Sequence, residues 1–303
     1  MIPDRPLGTT EIACHPLGFG SYRIADGVPE HERALRDYLE RGGNLIDTSA
    51  NYTDGESETL VGRVLEGSGP DRVTVVTKGG YIQGQNMDLA HTHDFPEVVR
   101  LAPDLWHCLH PEFLDTQITR SLGRMRLERI DVYLLHNPEY FLTHKADPHY
   151  GGRGLAREDI EEFYRRVGEA FAFLEGQVEK GRIRFYGVSS NNFGTAASDA
   201  THTSVKRCLD AAGSVSTSNR FKVIQLPMNL YENGGALERN NDGRTVLELC
   251  SERGIGVLVN RPLNAFHDDR LIRLADFIDR HGDECPPEET LADALSPLKA
   301  LEE

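Results

Sequence analysis

Short apolar runs rich in branched residues alternate along this chain with stretches whose apolar positions recur every three to four residues. The opening is different. Leu7 to Pro16, with Gly8-Thr9-Thr10 at its centre, predicts a hairpin, and Leu17 to Gly20 reads as a first strand. A helix from about Pro29 puts Ala34, Leu35, Tyr38 and Leu39 on one face, and Gly42-Gly43 stops it. Further strands are expected at Asn44 to Asp47, Val73 to Thr77, Ile130 to Leu135, Arg184 to Val188, Val223 to Leu226 and Ile255 to Val259. Helical spacing between them selects Leu60, Val61, Val64 and Leu65, then Leu114, Ile118, Leu122 and Met125, then Phe163, Val167, Ala170, Phe171, Leu174 and Val178. Shorter helical patterns follow at Ser204 to Ala212 and Thr245 to Arg253.

Strand–helix repeats of this kind predict a parallel sheet with both faces covered. No Gly-rich dinucleotide fingerprint follows the early strands, which argues against an open doubly wound sheet. The expected fold class is therefore α/β, a (β/α)8 TIM barrel with an N-terminal β-hairpin. An eighth strand is missing from the pattern. After Val259 only helical spacing is visible, at Leu271, Leu274, Ala275 and Ile278 and again at Leu291, Ala294, Leu295 and Leu298. Residues 1–303 are thus expected to form one barrel domain with a helical C-terminal region over 266–303, lacking or truncated at strand eight. Seven strands leave two edges, so the expectation is that the chain stops short of a longer natural sequence, or that helix and loop plug the gap.

Composition narrows the partners. A net charge of −15 over 303 residues repels phosphate backbones and anionic lipid, so neither nucleic acid nor membrane is an expected partner. The N-terminus carries no apolar signal run, and no stretch approaches the length of a membrane span. The five cysteines are scattered and form no CxxC pair, which fits reduced thiols and a cytoplasmic location. His91, His93, His107 and His110 fit no zinc-ligand spacing, so no metal is expected. They lie in a long segment before the third helix that reads as a loop over the barrel mouth, and Glu139 to Asp159 reads as a second.

Reactive groups in such a barrel sit just past the C-terminal strand ends. Those positions hold Asp47, with Tyr52 five residues on, Lys78 and His136. The four suit carbonyl reduction. Tyr52 can give a proton to the oxygen that gains charge, a Lys78 ammonium lowers the phenol pKa, Asp47 fixes that cation, and His136 orients the substrate oxygen.

Gly43-Asn44-Leu45-Ile46-Asp47-Thr48-Ser49-Ala50-Asn51-Tyr52 with Ser57-Glu58 resembles the aldo-keto reductase signature. Val75-Val76-Thr77-Lys78 resembles that family's lysine strand, and Ser121-Leu122 to Leu135-His136 resembles the segment presenting its histidine. The match continues through Gly187-Val188-Ser189-Ser190 and Gln225 and covers about 7–265. The resemblance implies a nicotinamide cofactor, NADP(H) in preference to NAD(H), and a small-molecule carbonyl or sugar substrate. By it, Tyr52 is the proton donor, and Ser189, Ser190 or Asn191, and Gln225 hold the nicotinamide carboxamide. Gly20 and Ser21 line its ribose, with Asp47 beside it. Where the family often stacks an aromatic ring on the nicotinamide, this chain has Asn260-Arg261-Pro262-Leu263, so Asn260, Arg261 and Leu263 are the candidate contacts. Tyr22, Trp106 and Asn137 are candidates for the substrate pocket. The alternative reading is a C-terminally incomplete, non-catalytic barrel that senses cofactor or binds a partner.

Overall fold

The computed structural model describes residues 2–66, 72–150, 152–267 and 270–274. Strands β1 (Arg5–Pro6) and β2 (Ala13–Cys14) pair antiparallel as the expected hairpin. The repeat begins with β3 (Phe19–Gly20), α1 (Pro29–Glu40), β4 (Leu45–Asp47), α2 (Glu56–Glu66) and β5 (Thr74–Gly79). An insertion follows, comprising β6 (Tyr81–Ile82), α3 (Gln85–Thr92), β7 (Val99–Ala102) and β8 (Leu105–His107). The repeat resumes with α4 (Pro111–Met125), β9 (Ile130–His136), α5 (Tyr140–Ala146), α6 (Arg157–Glu179), β10 (Ile183–Ser189) and α7 (Val205–Val215). Then come β11 (Phe221–Pro227), α8 (Gly234–Leu237), α9 (Val246–Arg253) and β12 (Gly256–Asn260), and an antiparallel hairpin of β13 (Asn264–His267) and β14 (Arg270–Arg273).

One parallel seven-stranded sheet runs β3-β4-β5-β9-β10-β11-β12, a nearly closed barrel wall with helices outside. Among the described residues no eighth strand joins β12 to β3. Alternation along the strands sorts the core in two. Leu45, Val76, Val132, Leu134, Phe185, Val223 and Leu258 fill the barrel interior together with Leu7, Ile12 and Cys14 of the first hairpin, which therefore plugs the floor. The intervening residues, such as Ile46, Val75, Tyr133, Leu135, Tyr186, Val188 and Ile224, pack outward with Leu60, Ile118, Phe171 and Leu249 of the helices. The hairpin turn is tied to the start of the last strand, with Thr9 donating to the Gly254 carbonyl from its backbone N–H at 2.8 Å and from its hydroxyl at 2.9 Å.

Three expectations need revising. The segment after Lys78 is not a bare loop. Tyr81–Ile82 and Val99–Ala102 flank Leu105–His107 in a three-stranded antiparallel sheet, with α3 beside it, packed around its own small core of Ile82, Phe95, Cys108 and Phe113. The stretch after His136 holds α5 and a turn at Pro148–Tyr150. Leu271, read as helical, lies in β14, where cross-strand pairing of Phe266 with Leu271 and of Ala265 with Ile272 overrides a weak helical spacing. The helical patterns from Ala275 onward lie outside the described residues.

Candidate active site

The alternation that fills the barrel also builds its mouth. Counting on by twos from the interior residues, the last inward positions are Asp47, Lys78, His136, Ser189, Gln225 and Asn260. Gly20 joins them through its pairing with Asp47.

Lys78 is fully buried and its ammonium is the hub of one group. Nζ lies 2.8 Å from Asp47 Oδ1 and donates to the Thr48 carbonyl at 2.8 Å and to the Tyr52 hydroxyl at 3.3 Å. The Tyr52 and His136 rings stand edge to face, 6.0 Å between centroids. His136 Nδ1 lies 3.0 Å from the Ser49 hydroxyl, so that nitrogen is the engaged one of the two. Tyr52 opens a turn in which Thr53 and Asp54 both have positive φ, at 45° and 56°. That region is uncommon for a β-branched residue. The Thr53 hydroxyl holds it by donating to the Ile24 carbonyl at 2.6 Å, and Asp54 Oδ1 by accepting the Gln85 N–H at 2.9 Å. Ser57 and Glu58 of α2 lock the neighbouring strands. The Ser57 hydroxyl bonds Ser21, and Glu58 is sealed between the Thr77 hydroxyl at 2.5 Å and Arg124 at 2.7 Å.

The electrostatics differ from the simplest expectation. Burial pushes the Tyr52 phenol upward, Lys78 pulls it down, and the net shift is upward. Burial opposes the Lys78 charge, but Asp47 and Tyr52 more than offset it, so the ammonium is held above its usual range. Burial, with Lys78 and His107 adding to it, drives His136 well below 6.5, so its imidazole is neutral. The phenol thus remains a protonated donor beside a fixed cation and an uncharged imidazole.

The insertion forms one wall of this group. The Tyr81 ring meets His136 edge-on at 4.6 Å, and its hydroxyl accepts from the Asn137 side chain at 2.7 Å. His107 Nε2 lies 2.7 Å from the His136 carbonyl, which can only accept, so the proton sits on Nε2. Burial lowers the His107 pKa to about 4. Trp106, one residue earlier in β8, packs instead between Arg100 and His91. Tyr22 stands edge-on to Tyr52 at 5.2 Å and is 63% exposed, on the rim. Asn137 is buried with its amide donor engaged by Tyr81.

A second group lies along β10 to β12. The Ser189 hydroxyl donates to Gln225 Oε1 at 3.0 Å, and Asn260 Nδ2 approaches the same oxygen at 3.4 Å. Asn260 Oδ1 is buried without a hydrogen-bond partner. That orphan acceptor beside amide and hydroxyl groups matches a primary carboxamide, which brings N–H donors and one carbonyl, so the residues fit the nicotinamide end of the cofactor. Ser190 is buried and its hydroxyl accepts the Asn192 N–H at 3.1 Å, while Asn191 is bonded by Arg261 at 3.1 Å. Arg261 therefore reaches sideways, also pairing with Glu232 at 2.5 Å. At Gly20 an added Cβ would meet nothing, so that side of the mouth is open. Ser21 is fully buried, and its hydroxyl is spent on the Asp47 carbonyl at 2.9 Å. Leu263 is 57% exposed beyond β12.

Sequence reasoning gave no active-site role to Ser49, Tyr81, His107 or Glu139, and weighed His107 only as a zinc ligand. Ser49 sat inside a quoted motif without a role. The other three signal nothing until the insertion and the α5 segment fold back onto the mouth. Among the described residues no three His, Cys, Asp or Glu side chains group to hold a metal, and no helix is long and apolar enough to cross a membrane.

Comparison with known proteins places this geometry. The Aldo/keto reductase family model matches residues 16–295. An NADH-specific methylglyoxal reductase of Escherichia coli is 26% identical over 266 residues, covering 85% of this chain and 66% of that protein. A 6-dehydroglucose reductase of Novosphingobium aromaticivorans is 24% identical over 197 residues, 61% of this chain and 51% of the other. The chain thus spans less than two thirds of these relatives. An aldo-keto reductase structure from Bacillus halodurans superposes with a TM-score of 0.56 at 22% identity, covering 86% of this chain and 66% of that one, which shows a shared fold. With the barrel, the mouth geometry and the match over 16–295 in hand, the chain belongs to the aldo-keto reductase family.

Proposed function

We propose that the chain transfers hydride between a nicotinamide cofactor and a small polar aldehyde, ketone or sugar carbonyl. The observation that carries this reading is the buried hub at Lys78, which contacts Asp47 at 2.8 Å and the Tyr52 hydroxyl at 3.3 Å with His136 facing that phenol. The relatives named for methylglyoxal and for 6-dehydroglucose support the substrate class.

Ser189, Ser190, Asn191, Gln225 and Asn260 would hold the carboxamide, with Gly20, Ser21 and Asp47 toward the ribose and Arg261 and Leu263 beyond β12. The bound nicotinamide supplies or takes up the hydride at the carbonyl carbon. His136 Nε2 holds the carbonyl oxygen. As charge grows on that oxygen, the Tyr52 hydroxyl gives up its proton, and Lys78 stabilises the phenolate left behind while Asp47 keeps the ammonium in place. In the oxidative direction the same groups run in reverse. Tyr22 and Asn137 remain the proposed substrate-side residues, with Tyr22 on the rim, whereas Trp106 lies on the face of β8 turned away from His136.

Tyr52→Phe tests the assignment. It removes the proton and leaves the ring, so turnover of methylglyoxal or a hexose should fall about 10²–10⁴-fold with cofactor affinity retained. Retained turnover would remove Tyr52 from the mechanism. NADPH is the cofactor we propose, and parallel fluorescence titrations with NADPH and NADH decide it. A clear preference for NADH would align the chain with its Escherichia coli relative.

A further inference from the structure

We propose that Glu139 is the positioning residue of the carboxamide cradle, tying Ser190 and Asn191 to the strand that carries His136. This rests on the nicotinamide reading above and deepens it. Glu139 lies three residues beyond His136 and is 3% exposed. Its Oε1 accepts the Asn191 backbone N–H at 2.8 Å, while Oε2 is buried with no hydrogen-bond partner. From Asn191 the connection continues through Arg261 at 3.1 Å to Glu232 at 2.5 Å, so four mouth segments, after β9, β10, β11 and β12, are joined in one chain of contacts. The residues just before Asn191 are the cradle itself. The Ser190 N–H donates to the Gln225 carbonyl at 3.0 Å, and the Ser189 hydroxyl to the Gln225 side chain at 3.0 Å. A displacement at Asn191 therefore moves the groups that would face the carboxamide.

A tether alone has no need of a carboxyl. An amide or hydroxyl oxygen would accept the same N–H without the desolvation cost of a buried acid. What the acid adds is a bond whose strength depends on its own protonation. The groups facing it are Arg261 and the Ser190 hydroxyl, Tyr81 of β6, Tyr140 of α5 and Cys208 of α7. Burial outweighs the opposing hydrogen bonds and Arg261, pushing the carboxyl up to about 7, so it changes state in the neutral range.

The test is NADPH fluorescence titration of the full chain, wild type against Glu139→Ala and Glu139→Gln. Alanine should weaken NADPH binding about tenfold, the size expected for losing one charge-assisted hydrogen bond, with the loss in the cofactor KM and not in kcat. Glutamine, which keeps the acceptor oxygen, should restore most of the affinity. Independently of any cofactor, the Asn191 amide in ¹H–¹⁵N spectra should show a titration step near pH 7 in the wild type and none in Glu139→Gln. That comparison holds even where the alanine variant fails to fold. Unchanged NADPH binding in Glu139→Ala, a kcat loss at unchanged affinity, or an Asn191 amide without the step would each overturn the role of Glu139. A folded wild-type chain that shows the amide step yet binds neither NADPH nor NADH would instead overturn the nicotinamide reading, and the positioning role with it.

Discussion

Burial raises the Glu139 carboxyl from 4.5 to about 7, so between those values the unfolded chain releases a proton that the folded chain retains. The sign follows from that difference in bound protons. A raised folded-state pKa contributes stability that is fully present below about 4.5 and is lost as pH rises through about 7. A gap of that size corresponds to about 3 kcal/mol, taken over the whole window. Glutamine cannot ionise, so Glu139→Gln should gain on the wild type by about 2–3 kcal/mol when urea unfolding at pH 5 is compared with pH 8, which spans most of that window. The comparison is between two pH values of the same pair, which cancels any packing difference between acid and amide. A pH-independent difference would mean that the folded carboxyl ionises as freely as the unfolded one. The acid thus weakens the fold at neutral pH, as buried ionisable groups at binding sites commonly do.

The insertion of β6, α3, β7 and β8 contributes to the mouth as an element, because strand alternation in β8 sends His107 toward His136 and Trp106 to the other side. His107→Leu would leave the buried His136 carbonyl without its donor, a cost of about 1–3 kcal/mol. Read through the proposed orienting role of His136, kcat/KM should fall about tenfold or more while cofactor binding stays within about twofold. His107→Gln, which can reach the same carbonyl with an amide N–H, should recover part of the loss, and steady-state kinetics on the three proteins checks this. Equal kinetics for leucine and wild type would show that Tyr81 and the Ser49 hydroxyl alone fix His136. The repeating barrel elements were legible in the sequence because each carries several apolar positions at one period, as in α4 and β9. The ends of the strands were legible for the same reason, since Asp47, Lys78 and His136 close apolar runs. The insertion was not. Its strands are two to four residues long, too short for a period to register, and their partners are set by chain reversal rather than by pattern. The β13–β14 hairpin failed differently, because Leu271 and Leu274 happen to fit helical spacing while pairing decides the outcome.

For the whole molecule the deciding quantity is the imbalance of 48 acidic against 33 basic side chains. Two electrostatic effects compete. Local ion pairs stabilise the fold, the densest being Arg165 with Glu97, Glu162 and Glu169, but these are partly exposed and each contributes little. Against them stands the mutual repulsion of a net −15 carried by one compact chain. A chain of this length has a radius of gyration of about 19 Å. At about 10 mM salt the screening length is about 30 Å, so every charge feels nearly all the others; at about 150 mM it is about 8 Å, and only neighbours interact. Screening therefore removes more repulsion than attraction, because the repulsion is long-ranged and the pairs are in contact. Raising sodium chloride from about 10 to about 150 mM at pH 7.5 should lift the thermal midpoint by about 4 °C, at about 2 °C per kcal/mol for a chain of this size. Scanning calorimetry at fixed pH measures it directly. A midpoint that falls with salt would mean that contact pairs such as those around Arg165 outweigh the net charge. An increase would tie the acidic composition to a cost borne by the fold itself.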